Sequence, residues 1–430
     1  MEFSSKIRKE MAAKYLKRYI ESQIKRKMRS SGAILVSGPK FCGKTTTSLR
    51  FAKSSIRLNT RQAINLARME PAGTLIGDRP RVIDEWQTAP DIWNQVKSWV
   101  DEHPGFGQFI LTGSTTPADV TQIYHSGAGR IAKLMMRPMS LSESLESSGT
   151  VSLSKLFDNP ESRIYDDGHG VKLSDIAFLL CRGGWPLSLQ RDSKVALDVT
   201  RNYYDGLFNF ENSDNERFRN KNPHTLCMVL RSYARNISTE AGRTTMVEDV
   251  ARADNRTIDP KTFDDYADAL TDLFIIDDME AWNTNLRSKT VIRTSPTRHF
   301  VDPSIACASL GITPAALMAD LNSFGLFFED MAVRDLRIYV DYLGGKVQHY
   351  RDSRKLECDA VVTLDDGRWA LIEVKLGGED KIEEGAQNMK RLRGDLSGQQ
   401  PNFCMVLTAV GPSYRREDGV YVASITSLKP

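Results

Sequence analysis

The strongest chemical signal in the chain lies between Ser37 and Thr46. Gly38-Pro39-Lys40-Phe41-Cys42-Gly43-Lys44-Thr45 fits G-x-x-x-x-G-K-[ST] at every fixed position, and the apolar run Ala33-Ile34-Leu35-Val36 before it reads as a buried strand. Gly38 and Gly43 let the backbone turn tightly enough for its N–H groups to face phosphate oxygens. Lys44 would then reach the β- and γ-phosphates, and the Thr45 hydroxyl would ligate Mg²⁺. Gly38 to Thr46 are therefore the candidate nucleotide-binding residues. A second signal, Arg81-Val82-Ile83-Asp84-Glu85-Trp86-Gln87, is an apolar strand end delivering two adjacent carboxylates. Nucleotide hydrolysis needs one acid to hold the metal and its water shell and another to polarise the attacking water. Asp84 is assigned the first role and Glu85 the second.

Two further positions could complete this chemistry. Gln108-Phe109-Ile110-Leu111-Thr112-Gly113-Ser114-Thr115 is an apolar strand ending in hydroxyls, so Thr112 and Ser114 are candidate sensors of the γ-phosphate or the attacking water. A strand running into a polar turn has the same spacing. Gly127-Ala128-Gly129-Arg130-Ile131 places one arginine after flexible glycines; Arg130 is the candidate finger that neutralises charge in a neighbour's transition state, with Arg137 as its understudy. A surface salt bridge is the plain reading of either arginine.

A third signal lies near the other end. Glu357-Cys358-Asp359-Ala360-Val361-Val362 and Trp369-Ala370-Leu371-Ile372-Glu373-Val374-Lys375 flank Asp365-Asp366-Gly367, a strong hairpin signal. Glu373 and Lys375, two apart on a strand, share a face, and the hairpin would bring Asp359 near them. Asp followed by Glu-x-Lys is a nuclease signature, in which Asp359 and Glu373 would hold a divalent metal and Lys375 would orient water. Glu329, from the helix opened by Leu326-Phe327-Phe328-Glu329, could add a third carboxylate. Ordinary surface ion pairs produce the same pattern.

The elements that position these groups alternate between short apolar strands and helical stretches after Lys44, the pattern of a parallel sheet covered by helices. One helix is expected over Lys44 to Ser54 and another over Asp91 to Val100. The run Tyr15-Leu16-Lys17-Arg18-Tyr19-Ile20, the phosphate loop, Ile83 to Gln87, Leu111 to Ser114, Gly129-Arg130 and Arg137-Pro138-Met139-Ser140-Leu141-Ser142-Glu143 occur in that order. In this the chain resembles prokaryotic AAA+ ATPases that carry a C-terminal domain of unknown function, built from a winged helix and a restriction-endonuclease-like module. The resemblance continues through Arg182-Gly183-Gly184-Trp185-Pro186, Ala234-Arg235-Asn236 and Ser295-Pro296-Thr297-Arg298-His299-Phe300-Val301-Asp302-Pro303, and so covers most of the chain. It implies ATP and Mg²⁺ as cofactors and a homo-oligomer, a ring or another assembly, because AAA+ proteins complete their site across a subunit boundary. The C-terminal module is similar to PD-(D/E)xK nucleases, with Asp359, Glu373 and Lys375 all matching.

The expected fold class is α/β: a P-loop AAA+ core with a parallel sheet over residues 1–150, a linker over 151–170, a mostly helical winged-helix domain over 171–315, and a small α/β restriction-endonuclease-like domain over 320–430. Helices are expected over Thr225 to Asn236, over Thr245 to Arg252 and from Pro260, with Phe274-Ile275-Ile276 and His299-Phe300-Val301 as wing strands. The third helix displays Asp264, Asp265, Asp268 and Asp272, which would repel phosphates, while Tyr266, Leu270 and Leu273 face inward. A packing or intersubunit role suits it better than DNA reading. Arg287, Lys289, Arg293 and Arg298 around the wing, and Lys390, Arg391 and Arg393 on the last helix, are the basic candidates for nucleic acid.

At 430 residues, 40% hydrophobic and 26% charged, the composition is that of an ordinary soluble protein. Six scattered cysteines without a C-x-x-C pair suggest neither zinc nor disulfides, and point to the reducing cytoplasm. The net charge of +3 hides an asymmetry, since residues 1–30 carry +7 and the remainder −4. Lys and Arg interrupt that first segment throughout, which excludes a signal peptide, and no stretch elsewhere approaches a membrane span. Met11, Tyr15, Tyr19, Ile20 and Ile24 recur at helical spacing under a basic face. Three functions follow: an oligomeric ATPase that couples hydrolysis to rearrangement of its C-terminal modules on or near nucleic acid, an ATP-gated Mg²⁺-dependent nuclease, or a scaffold whose assembly nucleotide controls.

Overall fold

Strands β1 (Ala33–Ser37), β3 (Arg81–Asp84) and β4 (Phe109–Gly113) are buried along nearly their whole length because both faces of their sheet are covered. With β2 (Ser54–Arg57) and β5 (Ile131–Met135) they form a parallel sheet in the order β2-β3-β4-β1-β5. Alternation along β1 divides the two cores. Ile34 and Val36 pack with Ile20 and Ile24 of the first described helix (Ile20–Lys27), while Ala33 and Leu35 pack with Trp86, Trp93 and Val96 on the other side. The register pairs Val36 with Thr112 and Thr112 with Asp84, so the carboxyl ends of β1, β4 and β3 lie side by side. The helix expected from Lys44 stops at Leu49, and the one expected over Asp91 to Val100 runs Ile92–Glu102.

The computed structural model describes residues 15–116, 126–208, 221–282, 295–352, 356–395 and 400–430. Met11, Arg287, Lys289 and Arg293 lie outside the described residues.

Residues 151–170 do not form a free connector. Strand β6 (Val151–Ser152) pairs with β14 (Leu428–Lys429), a helix spans Leu153–Asp158, and β7 (Tyr165–Asp166) pairs with β12 (Ser413–Arg415). Their Asp, Gly and Ser content marks real turns, Gly168 and Gly170 having φ 79° and 66°. Strands of two residues are too short for composition to reveal.

The next stretch is helical: Leu173–Arg182, Ser193–Gly206, Pro223–Arg235, Arg243–Asp254, Pro260–Asp272, Pro303–Leu310 and Pro314–Ala319. Four of these starts share one grammar, Pro at the first position behind Asn222, Asp259, Asp302 or Thr313, whose side chain caps the exposed N–H groups. Among the described residues, the segments expected as wing strands are joined by two antiparallel bridges, Ile276 with Phe300 and Met279 with Thr297.

The helix Leu321–Leu343 then runs about 34 Å at 1.5 Å per residue. It lies against a seven-stranded sheet in the order β7-β12-β13-β11-β10-β9-β8, containing β8 (Gly345–Arg351), β9 (Glu357–Leu364), β10 (Trp369–Lys375), β11 (Phe403–Thr408) and β13 (Tyr421–Ser424). The helix Glu379–Asp395 covers the opposite face. The Leu321–Leu343 helix also reaches residues of the ATPase and helical regions before it. Asp335 accepts from the Leu141 N–H (2.9 Å), Arg334 pairs with Asp302 (2.8 Å), and the Tyr339 ring meets Tyr19 at 5.9 Å.

Candidate active site

The turn after β1 is built around two glycines. A Cβ on Gly38 (φ 149°) would lie 2.1 Å from the Met136 carbonyl, and Gly43 is left-handed (φ 103°) at the start of the Lys44–Leu49 helix. Lys44, 5% exposed, folds back to donate to the Gly38 (2.8 Å) and Pro39 (2.7 Å) carbonyls. A cation is thus already held at the loop's mouth by contacts that an anion could replace. Cys42 is buried and bonds the Met136 carbonyl through its thiol, so it offers only its backbone. Lys40, Phe41 and Thr46 lie at the exposed rim. Phe41, 62% exposed and with φ 63°, meets the edge of Tyr203 from the helical region at 6.0 Å.

Thr45 donates its hydroxyl to Asp84 Oδ1 at 2.8 Å, and the buried Thr112 hydroxyl donates to the same oxygen. Glu85 points elsewhere because its backbone is left-handed (φ 60°, ψ 42°), a conformation that costs a non-glycine residue about 1–2 kcal/mol. Its Oε2 accepts from Ser114 (2.9 Å) and from Gln87 (2.5 Å). The structure therefore brings together Lys44, Thr45, Asp84, Glu85, Thr112 and Ser114. Gln87 lay inside the acid motif with no role assigned, and only the turn after β3 shows that it steers Glu85.

The two arginines separate. Arg130 precedes β5, one residue before the Ile131–Ala33 pairing and so at the end of the sheet opposite Ser37. Its half-exposed guanidinium pairs with Asp101 at 2.7 Å. Five strand residues, about 16 Å, part it from its own phosphate loop. Arg137 cannot serve as an understudy, since it is bound within its own chain to Asp277 (2.7 Å) and Asp341 (2.8 Å), and Arg337 also holds Asp277 (2.9 Å). Burial pushes the Asp277 carboxyl up, but the Arg137 and Arg337 charges prevail and lower it to about 2 from an ordinary 3.8. Arg137→Ala is expected to cost about 3 kcal/mol in urea unfolding at neutral pH, because it strips a buried carboxylate of one partner. With a lowered folded pKa, Asp277's contribution is complete above about pH 4 and fades as the pH falls toward about 2. The gap between wild type and variant should narrow over that window.

In the C-terminal sheet, Asp359 accepts from the Val374 N–H (2.7 Å), and Lys375 lies 3.1 Å from Glu373 and 3.7 Å from Asp359. Asn388 donates to Glu373 from the covering helix. Burial pushes Glu329 well above the ordinary carboxyl range; the Asp359 charge adds to this, against the pull of Lys375. Glu373 is raised by burial and then by Asp359. Burial works against the Lys375 ammonium, but Asp359 and Glu373 outweigh it and hold the proton more firmly. The charges of these four residues therefore act on one another. Among the described residues, the metal-type donors that converge within 4.8 Å are instead Asp166, Asp167 and His169, in a turn.

The basic candidates are mostly engaged. Arg298 bonds Asp278 (2.5 Å) and the Ala241 carbonyl (2.9 Å), Lys390 pairs with Asp418 (3.1 Å), and Arg393 bonds Gln400 (3.0 Å). On the third helix Asp264 pairs with Arg243 (2.5 Å) and Asp265 with Lys221. Tyr266 and Leu270 face inward as expected.

A parallel sheet in this order, with the glycine-lysine loop after β1 and the acids after β3, defines a P-loop ATPase core. Residues 30–145 match the family model of the AAA domain. Residues 173–316 match a domain of unknown function (DUF8612), and residues 324–428 match another (DUF4143). A Walker-type ATPase of Pyrococcus abyssi is similar over 70% of this chain and 97% of that chain, at 14% identity and a TM-score of 0.43. No curated protein matches. No helix among the described residues is long and apolar enough to cross a membrane.

Proposed function

We propose that the chain is a Mg²⁺-dependent ATPase that works as a homo-oligomer and couples hydrolysis to its C-terminal modules. The observation that carries this reading is the convergence of Lys44, Thr45, Asp84 and Glu85 at the carboxyl edge of one parallel sheet. Gly38 to Thr46 cradle the phosphates, and Lys44 exchanges the Gly38 and Pro39 carbonyls for phosphate oxygens. Thr45 and Asp84 are hard oxygen donors in contact with each other, a set that suits Mg²⁺, and the ion would neutralise phosphate charge there. Glu85, aimed by Ser114 and Gln87, takes the proton of the attacking water, and Thr112 registers the state of the site through Asp84. Arg130 is assigned to a neighbour's site because it lies far from its own. Phosphate release by the purified protein, dependent on Mg²⁺ and absent in Lys44→Ala, is the primary test.

The three helices Pro223–Arg235, Arg243–Asp254 and Pro260–Asp272 followed by a bridged pair support a winged-helix reading of the middle region, used for packing rather than DNA reading. The clustering of Glu329, Asp359, Glu373 and Lys375 favours a PD-(D/E)xK-like module as a second reading of the C-terminal part. Binding of nucleic acid suits it better than cleavage, because Lys375, Asn388 and the Val374 N–H already engage the two signature carboxylates. With Mg²⁺ or Mn²⁺, with or without ATP, linear, nicked and single-stranded DNA or RNA should stay intact. Replacing Lys390, Arg391 and Arg393 by Ala should weaken binding about tenfold and flatten its salt dependence. Cleavage by wild type that vanishes in Asp359→Ala would establish the ATP-gated nuclease instead.

A further inference from the structure

Two sequence motifs have no task in this scheme, Tyr15–Ile20 and Arg137–Glu143, and they meet behind the phosphate loop. Arg18, 4% exposed, donates Nη1 to the Cys42 carbonyl and Nη2 to the Arg137 carbonyl, both at 2.8 Å, and its Nε lies 3.1 Å from Glu143 Oε1. Glu143 is itself fixed, accepting the Tyr19 N–H (2.6 Å) and the Ser140 N–H (3.1 Å). Beside this clamp, the Tyr15 hydroxyl meets Glu21 and Thr47, each at 3.0 Å.

We infer that Arg18 is a positioning residue for phosphate binding, acting through the Cys42–Gly43 peptide. A trans peptide is planar and points its C=O and the following N–H to opposite sides. Drawing the Cys42 carbonyl outward aims the Gly43 N–H into the loop, where a phosphate oxygen would sit. The second guanidinium arm ties the same plane to the end of β5. The planar fork reaches the two carbonyls from separate nitrogens while its Nε faces Glu143, whereas a lysine ammonium has one nitrogen with which to reach all three. Glu143 balances the charge, so Arg18 works by orientation rather than by adding field to the site. The consequence is general for phosphate and indifferent to the base.

This inference rests on the nucleotide-binding reading, and the test separates the two. Titrate wild type, Arg18→Ala and Arg18→Lys, as full chains, with ATP, GTP and inorganic tripolyphosphate, and record the melting temperature of each. Arg18→Ala should lose about tenfold in affinity for all three ligands alike, the scale of one oriented hydrogen bond to a charged group. Arg18→Lys should recover only part of that loss, and millimolar guanidinium added to Arg18→Ala should recover more without raising its melting temperature. Should Arg18→Ala fail to fold, an Arg18→Lys protein that binds tripolyphosphate as wild type does overturns the inference. Equal tripolyphosphate affinity in wild type and a folded Arg18→Ala overturns it as well. A loss confined to ATP would place Arg18 on the base side and would also sink it. Wild type that binds neither ATP nor tripolyphosphate would overturn the nucleotide-binding reading itself.

Discussion

Glu85→Gln protein should keep ATP bound and turn it over about 100- to 10,000-fold more slowly, the range that a positioned general base supplies. The amide preserves the size of the side chain and its bond to Ser114, so the fold and the cradle survive while the proton acceptor is lost. Lys44→Ala should fail earlier, at binding, by about 10- to 100-fold, since a charge-assisted bond to phosphate is worth about 1.5–3 kcal/mol. Phosphate release and nucleotide affinity measured on the same preparations distinguish the two. Unchanged turnover in Glu85→Gln would remove Glu85 from the base role and shift attention to Asp84.

Arg130→Ala should lower turnover by about 1,000-fold or more, as the loss of a finger on the transferring phosphoryl group does. Mixing it with Glu85→Gln protein should restore activity, because an Arg130→Ala subunit still offers Glu85 while its Glu85→Gln neighbour still offers Arg130. In an equal mixture that exchanges freely, about a quarter of head-to-tail interfaces are intact. The Arg130–Asp101 ion pair adds a control. Asp101→Asn should free the guanidinium and leave activity intact or raised, whereas a purely structural Arg130 would make Asp101→Asn and Arg130→Ala alike. A monomer in the presence of ATP whose specific activity ignores protein concentration would refute the shared site.

The sequence showed most clearly what is local. Gly38 to Thr46, Asp84 and Glu85 lie in short contiguous motifs whose backbone demands are met within a few residues. The Asp359 to Lys375 hairpin is set by one turn and by period-two alternation. What stayed hidden is held by distant pairings. Arg18 meets the Cys42 carbonyl across 24 positions and the Arg137 carbonyl across 119, and no spacing rule selects those partners. The partners of Arg137 were not legible in sequence because Asp277 and Asp341 arrive 140 and 204 positions later. The acids of the Pro260–Asp272 helix suggested a repulsive face, but Arg243 and Lys221 answer two of them. The strands of residues 151–170 escaped notice because two-residue pairings leave no periodicity to read.

Those pairings bear on how the molecule comes apart. Because β7 completes the edge of the C-terminal sheet and the Tyr421 hydroxyl bonds the Pro160 and Ser162 carbonyls at 2.9 and 2.8 Å, that sheet includes residues which directly follow the ATPase strands. A fragment cut at residue 320 would leave behind β7, the edge strand of that sheet, and β6, the partner of β14, and bare a backbone edge open to aggregation. Heat should therefore melt the ATPase core and the C-terminal sheet together, as one calorimetric event rather than two. The unit of cooperative unfolding is larger than any single domain, and its seam runs through the segment that joins them.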